Sequence, residues 1–194
     1  YHKKLVPISA VDLSMGYDAY WRALRERGSN FVERIPRLER KLGKERGRVT
    51  LQDRIVDPSA LESLIRWKYD QMIDQPDNRF SQEHWFTRFL RDLFSTRFPS
   101  FQAVLSGLFV EDRLCSALFS LSSTTRILHA YASSYDPEFP KYSPGMTILF
   151  KALERAAADG VVRADLGGGA SFRYKYRMMI GEPGDLAVGV VVSG

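Results

Sequence analysis

Several short runs in this chain hold residue types able to bind and move a charged group. In Ser143-Pro144-Gly145-Met146 the proline takes a first helical position, where its missing N–H costs nothing, and the glycine lets a ligand approach the backbone. The free amides that follow, with the helix dipole, favour a phosphate or pyrophosphate. The same four residues also suit a plain helix start. Asp165-Leu166-Gly167-Gly168-Gly169 sets glycines behind a strand, permitting a sharp turn and close backbone contact. It lacks the G-x-G-x-x-G order of a dinucleotide-binding turn. From Phe172 to Met178, aromatic or apolar residues alternate with Arg173, Lys175 and Arg177. Lys175, flanked by tyrosines, has the charge to stabilise a carbonyl oxygen or leaving group as it turns negative; a solvated basic edge is the alternative.

Lys68 lies on the stripe Leu61, Leu64, Ile65, Lys68, Met72, with Gln71 on the same side. A charge in an apolar stripe is costly unless it reaches a cavity or partner, so Lys68 either snorkels to the surface or meets a substrate. His84 starts a helix and His129 lies mid-strand, neither at metal-ligand spacing from another histidine, so no metal is expected. No nucleophile–His–acid order stands out. Cys115, in an apolar stretch, reads as buried filler.

The elements that must position these residues follow from periodicity and punctuation. Residues 17–28 and 32–47 read as helices separated by Gly28-Ser29 and closed by Gly47, and Arg48–Gln52 as a short strand. Asp57 caps a helix opened by Pro58. Ser81 is expected to cap another, with Trp85, Phe86, Phe89, Leu90, Leu93 and Phe94 on its buried side. Phe101–Val110, Leu114–Ser122 and Ile127–Tyr135 read as an antiparallel meander with turns at Glu111-Asp112-Arg113 and Ser123–Arg126. After Pro144 a helical stripe runs through Met146, Leu149, Phe150, Leu153 and Ala157 until Gly160. Val161, Val162 and Leu166 form the next strand and Leu186–Val192 a last one. For 172–178 the alternation suggests a strand, one helical turn remaining possible. The order points to α+β packing around one mixed sheet, its strand–helix–strand crossover making a parallel pair.

Composition bounds the rest. The 194 residues suit one domain with or without a small appendage, 44% apolar and 26% charged as in ordinary soluble proteins. A single cysteine excludes an internal disulfide framework and fits a reducing, cytoplasmic compartment. No apolar run approaches the roughly 20 residues of a membrane span. The chain opens on Tyr1 rather than Met, which reads as a piece of a longer or processed product. The net charge of +5 concentrates in Arg34, Arg37, Arg40, Lys41, Lys44, Arg46 and Arg48. That run reads as a solvated helix face or a phosphate-facing patch, without any nucleic-acid-binding signature beside it.

Taken together, several runs resemble one known family. They are Arg40-Lys41-Leu42-Gly43-Lys44-Glu45-Arg46-Gly47, Trp67-Lys68-Tyr69-Asp70-Gln71, Tyr135-Asp136-Pro137, Tyr142-Ser143-Pro144-Gly145, Asp165-Leu166-Gly167-Gly168-Gly169 and Tyr174-Lys175. The family is the acetyltransferases linked to cellulose and exopolysaccharide biosynthesis, of the Gcn5-related N-acetyltransferase (GNAT) fold, kin to the Fem-type aminoacyl ligases of peptidoglycan. The likeness runs from about Tyr17 onward. It implies residues 1–47 as a helical connecting segment and 48–194 as a GNAT-like domain, the second half of a tandem. It also implies transfer of an acyl group from acyl-coenzyme A to an amine on a small molecule, sugar or surface-polysaccharide precursor. Fem-type transfer from aminoacyl-tRNA and a non-catalytic scaffold in a polysaccharide-making assembly are the alternatives. On this analogy Ser143, Pro144, Gly145 and Met146 hold the pyrophosphate of the acyl donor, and Lys175 stabilises the transition state. Asp136 is the candidate base, and Lys68, Gln71, Tyr135, Tyr174 and Gly167 line the substrate site.

Overall fold

The computed structural model describes residues 2–75, 78–168, 173–180 and 184–189. Its elements are β1 (His2–Asp12), α1 (Tyr17–Glu26), α2 (Phe31–Arg46), β2 (Val49–Gln52), α3 (Pro58–Gln71), α4 (Trp85–Ser95), β3 (Phe101–Val110), β4 (Arg113–Ser123) and β5 (Ile127–Tyr135). A 3₁₀ turn at Pro140–Tyr142 leads into α5 (Pro144–Ala158), then β6 (Arg163–Gly168), α6 (Arg173–Met178) and β7 (Gly184–Gly189). The strands form one mixed sheet in the order β2-β3-β4-β5-β6-β1-β7. The expected meander is present as β3-β4-β5, and the crossover through α5 makes β5 and β6 the parallel pair.

Both faces of the sheet are covered. One buries α1, α2 and α5 around Leu24, Leu42, Phe150, Leu153 and Leu118; the other buries α3 and α4 around Leu61, Ile65, Leu90 and Phe119. Alternation along the strands sends successive side chains into these two cores. Cys115 is fully buried, and burial, helped by nearby Asp136, pushes its thiol up to about 12, so it stays a protonated packing residue. Six of the seven exposed cations of the basic run line the outer side of α2, with Arg48 just past its end, while Phe31, Ile35, Leu38 and Leu42 face inward. Among the described residues no helix is long and apolar enough to cross a membrane.

Local signals set several boundaries. The Asp57 carboxylate accepts the Ser59 N–H at 2.9 Å and Pro58 opens α3, as its sequence predicts. Three expectations need correction. Ser81 does not cap α4: His84 does, its Nδ1 accepting the Phe86 N–H at 3.1 Å, while the Ser81 carbonyl accepts the Thr87 hydroxyl at 2.8 Å. The later start puts Phe86, Leu90 and Leu93 on the buried line and leaves Trp85 61% and Phe89 37% exposed. Residues 173–178 form a helix rather than a strand. Its last residue and the one after it are held from afar, with the Tyr20 hydroxyl donating to the Met178 carbonyl at 2.9 Å and Arg27 to that of Met179 at 2.7 Å. Those donors satisfy carbonyls that the end of so short a helix would leave without partners. The third concerns residues 1–47, expected to be a helical connecting segment: besides α1 and α2 they supply β1, a strand between β6 and β7 and antiparallel to both.

Candidate functional site

The parallel strands β5 and β6 pair from Ile127↔Arg163 to His129↔Asp165. Past that rung no further pair joins them among the described residues, although β5 continues to Tyr135 and β6 to Gly168. The sheet therefore opens into a fork at the end where α5 begins.

On one side of the fork stands the tip of α5. Ser143 adopts a left-handed conformation at φ +50°, and its carbonyl accepts the N–H groups of Met146 at 3.0 Å and Thr147 at 3.2 Å. Among the described residues the Gly145 N–H has no backbone acceptor. A side chain at 145 would put its Cβ 3.4 Å from the Tyr135 ring, so glycine keeps the space between β5 and the helix tip open. Arg34 reaches over from α2, its guanidinium 3.3 Å from the Ser143 hydroxyl. A first-turn amide, the positive end of a helix dipole and a guanidinium make this tip suited to a phosphate-bearing ligand. Pro144 is buried and has no N–H, so it shapes the tip without offering a hydrogen bond.

The other side carries the ammonium of Lys175. Its Nζ donates to the Leu166 carbonyl at 2.5 Å, one residue past the last β5–β6 rung. Gly167 turns there at φ +76°, and a Cβ on it would lie 3.7 Å from that Nζ. Its N–H is held by Asp165 Oδ1 at 2.7 Å. Burial pulls the Lys175 pKa down; Asp165 pulls it back up and Lys68, approaching from α3, lowers it further. Lys68 is itself half-buried, with its pKa lowered by burial. The fold thus gathers Lys175, Lys68 and Gly167, with Tyr135 beside Gly145. Tyr174 is half-buried against the α1/α2/α5 core, where burial raises its pKa. Gln71 is exposed at the end of α3. Gly169 and Phe172, the ends of two runs singled out in the sequence, lie outside the described residues.

Asp136 does not stand open to an incoming amine. It is 8% exposed, with Oδ2 2.7 Å from Arg113 Nη2 and Oδ1 accepting the Glu138 N–H at 3.0 Å. Arg113 also pairs with Glu138 at 3.0 Å and lies over the Phe139 ring. Both carboxylate oxygens therefore close the turn after β5. A different pair, a histidine and a carboxylate, lies on the fork's last rung and was passed over in the sequence: His129 Nδ1 stands 3.3 Å from Asp165 Oδ2. The two are 36 residues apart. Only the parallel register brings them side by side, and no spacing rule along the chain would have flagged them.

A family model for an acetyltransferase (GNAT) domain matches residues 29–176. No curated protein sequence matches the chain. Among solved structures, a conserved protein of unknown function from Bacteroides thetaiotaomicron superposes with a TM-score of 0.60 at 8% identity, over 92% of this chain and 57% of that one. FemX superposes with a TM-score of 0.58 at 11% identity, over 87% and 54%. A C-terminal DUF2156 domain from Agrobacterium fabrum gives 0.53 at 9% identity, over 86% and 48%. At these identities the likeness is one of fold. The chain spans about half the length of these structures.

Proposed function

The chain belongs to the GNAT acetyltransferase-domain family, and on that premise we propose that it transfers an acyl group from acyl-coenzyme A to an amine on a sugar or surface-polysaccharide precursor. The observation that carries the reading is the fork itself, with an open helix tip on one side and the Lys175 ammonium lodged against the Leu166 carbonyl on the other. The coenzyme's contribution is a thioester, whose carbonyl carbon is open to attack by an amine. The protein's share is to hold, orient and stabilise.

In this reading the amides of Gly145 and its neighbours, with Ser143, Met146 and Arg34, hold the pyrophosphate. Tyr135 packs beside Gly145 and limits how that end of the donor can lie. Lys175 supplies positive charge where the carbonyl oxygen turns negative, in a half-buried setting where such charge counts for more than in water. Lys68 and Gly167 form the acceptor side, while Tyr174, packed in the α1/α2/α5 core, and Gln71, exposed at the end of α3, stand outside it.

Calorimetry with acetyl-coenzyme A, coenzyme A and an aminoacyl-tRNA tests the choice of donor. Binding of the coenzyme that changes little with salt, followed by thiol release when an amino sugar is added, is the expected result. Binding confined to charged tRNA and falling steeply with salt would instead select the Fem-type reaction. Failure to bind any of the three would leave the scaffold role.

A further inference from the structure

We infer that His129 is the group that takes the proton from the attacking amine, with Asp165 holding its ring for that task. The inference deepens the acyl-transfer reading and rests on it.

The argument starts from the sheet. Leu128, Ala130, Ala164 and Leu166 point into the core under α5. The residues between them, His129 and Asp165, therefore stand on the opposite face, the one α3 and α4 cover. They are register partners on the last rung before β5 and β6 part, so they form the floor of the fork. A carboxylate only accepts hydrogen bonds, so the contact at 3.3 Å makes His129 Nδ1 the N–H side and leaves the lone pair of Nε2 unused by it. The second oxygen of Asp165 is fixed by the Gly167 N–H at 2.7 Å, so the carboxylate cannot swing away. The histidine side chain is 44% exposed and the aspartate 15%. One partner meets incoming molecules and the other is shielded.

Among the described residues, Lys175 of α6 lies within electrostatic reach of Asp165, and Lys68 of α3 within reach of Lys175; β4 opposes His129 with Leu121. Two ammonium groups at the fork make a third, on the acceptor, readier to lose its proton. That loss is needed because a free amine is mostly ammonium at neutral pH and has no lone pair to attack with. In the step, the acceptor R–NH3+ gives one proton to His129 Nε2. The nitrogen bonds to the thioester carbon, and the carbon–sulfur bond breaks with its electron pair going to sulfur. The second proton leaving nitrogen goes to that thiolate, and His129 returns its own proton to water. The products are amide, thiol and one released proton.

The test compares wild type, His129→Gln, His129→Ala and Asp165→Asn, following thiol release against pH at saturating acyl-coenzyme A. Calorimetric binding of the coenzyme and the unfolding temperature are measured on each. His129→Gln should lose about 10²–10⁴-fold in turnover at neutral pH, bind the coenzyme as wild type does, and recover toward wild type at high pH, where the amine deprotonates unaided. Added imidazole should partly restore His129→Ala. Asp165→Asn should lower kcat while leaving the Kd of the coenzyme unchanged, because the ring loses the acceptor that orients it. A His129→Gln enzyme with wild-type turnover at neutral pH would overturn the assignment while leaving acyl transfer intact. A wild-type protein that releases no thiol with any amine would overturn the transfer reading and the base together.

Discussion

Replacing Lys175 by methionine keeps an unbranched side chain out to Cε and removes the ammonium, and the structure separates the two costs. To the fold, the ammonium contributes a hydrogen bond to the Leu166 carbonyl at 2.5 Å, of a kind that stabilises by about 1.5–3 kcal/mol. Burial of the same ammonium works against it, as its lowered pKa records. The net loss should be about 1 kcal/mol, lowering Tm by about 2–4 °C in a domain of this size. To the reaction, the ammonium is one preorganised positive group at the oxygen that becomes negative, the kind of contribution whose removal costs about 10²–10³ in kcat, or about 3–4 kcal/mol. The catalytic loss should thus exceed the loss of stability several-fold. Thiol release at saturating substrates gives kcat, and calorimetry gives the Kd of the acyl donor, which should change by less than about 3-fold because the pyrophosphate is held at the tip of α5. A kcat within about 3-fold of wild type, or a loss of kcat matched by equal loss of affinity, would remove Lys175 from the chemistry. The pH dependence has a defined sign. Because the folded pKa is depressed, the ammonium is lost as pH rises at a lower value than for an ordinary lysine, and turnover should fall on that alkaline side. Stability should rise with pH between the folded and unfolded pKa values, where the unfolded chain holds more protons; Lys175→Met should abolish that rise.

Lys68→Met should raise the pH at which the alkaline fall in turnover begins, since Lys68 pushes the Lys175 pKa down; a pH–rate profile that does not move would show that the two ammonium groups are independent. Asp136→Asn should cost about 1–3 kcal/mol of stability through the contacts with Arg113 and the Glu138 N–H, with kcat within about 3-fold; chemical denaturation and a turnover assay measure the two, and a 100-fold loss of kcat in a well-folded variant would restore Asp136 as the base. Gly107→Ala places a Cβ 2.7 Å from Ile55 Cδ1 and Phe109 Cε2 and 2.8 Å from Leu114 Cδ1. This overpacking on β3 should destabilise by about 1–3 kcal/mol, read as a lowered denaturation midpoint, and an unchanged midpoint would mean that the strand absorbs the methyl group freely.

Elements with signals at their own ends were legible. Asp57-Pro58 announced α3, Pro144 and Gly160 bracketed α5, and the alternation of Phe101–Val110 and Ile127–Tyr135 matched β3 and β5 to the residue. The α+β class and the parallel crossover followed from the order of those elements. Where partners lie far apart, local signals failed. The first residues became β1 only through pairing with β6 and β7. Alternation at 172–178 suggested a strand, yet donors from Tyr20 and Arg27, 158 and 152 residues away from their carbonyl partners, meet a short helix there.

At the candidate site the division is the same. The residue types at the helix tip, the glycines behind β6 and a lysine after them can be read along the chain. That Arg113 closes over Asp136, that Lys175 meets the Leu166 carbonyl and that His129 stands beside Asp165 emerges from the folded chain alone. Caps and turns form between neighbours at little entropic cost. Contacts across tens of residues require long loops to close, and that closure is recovered only when strand register and core packing form together.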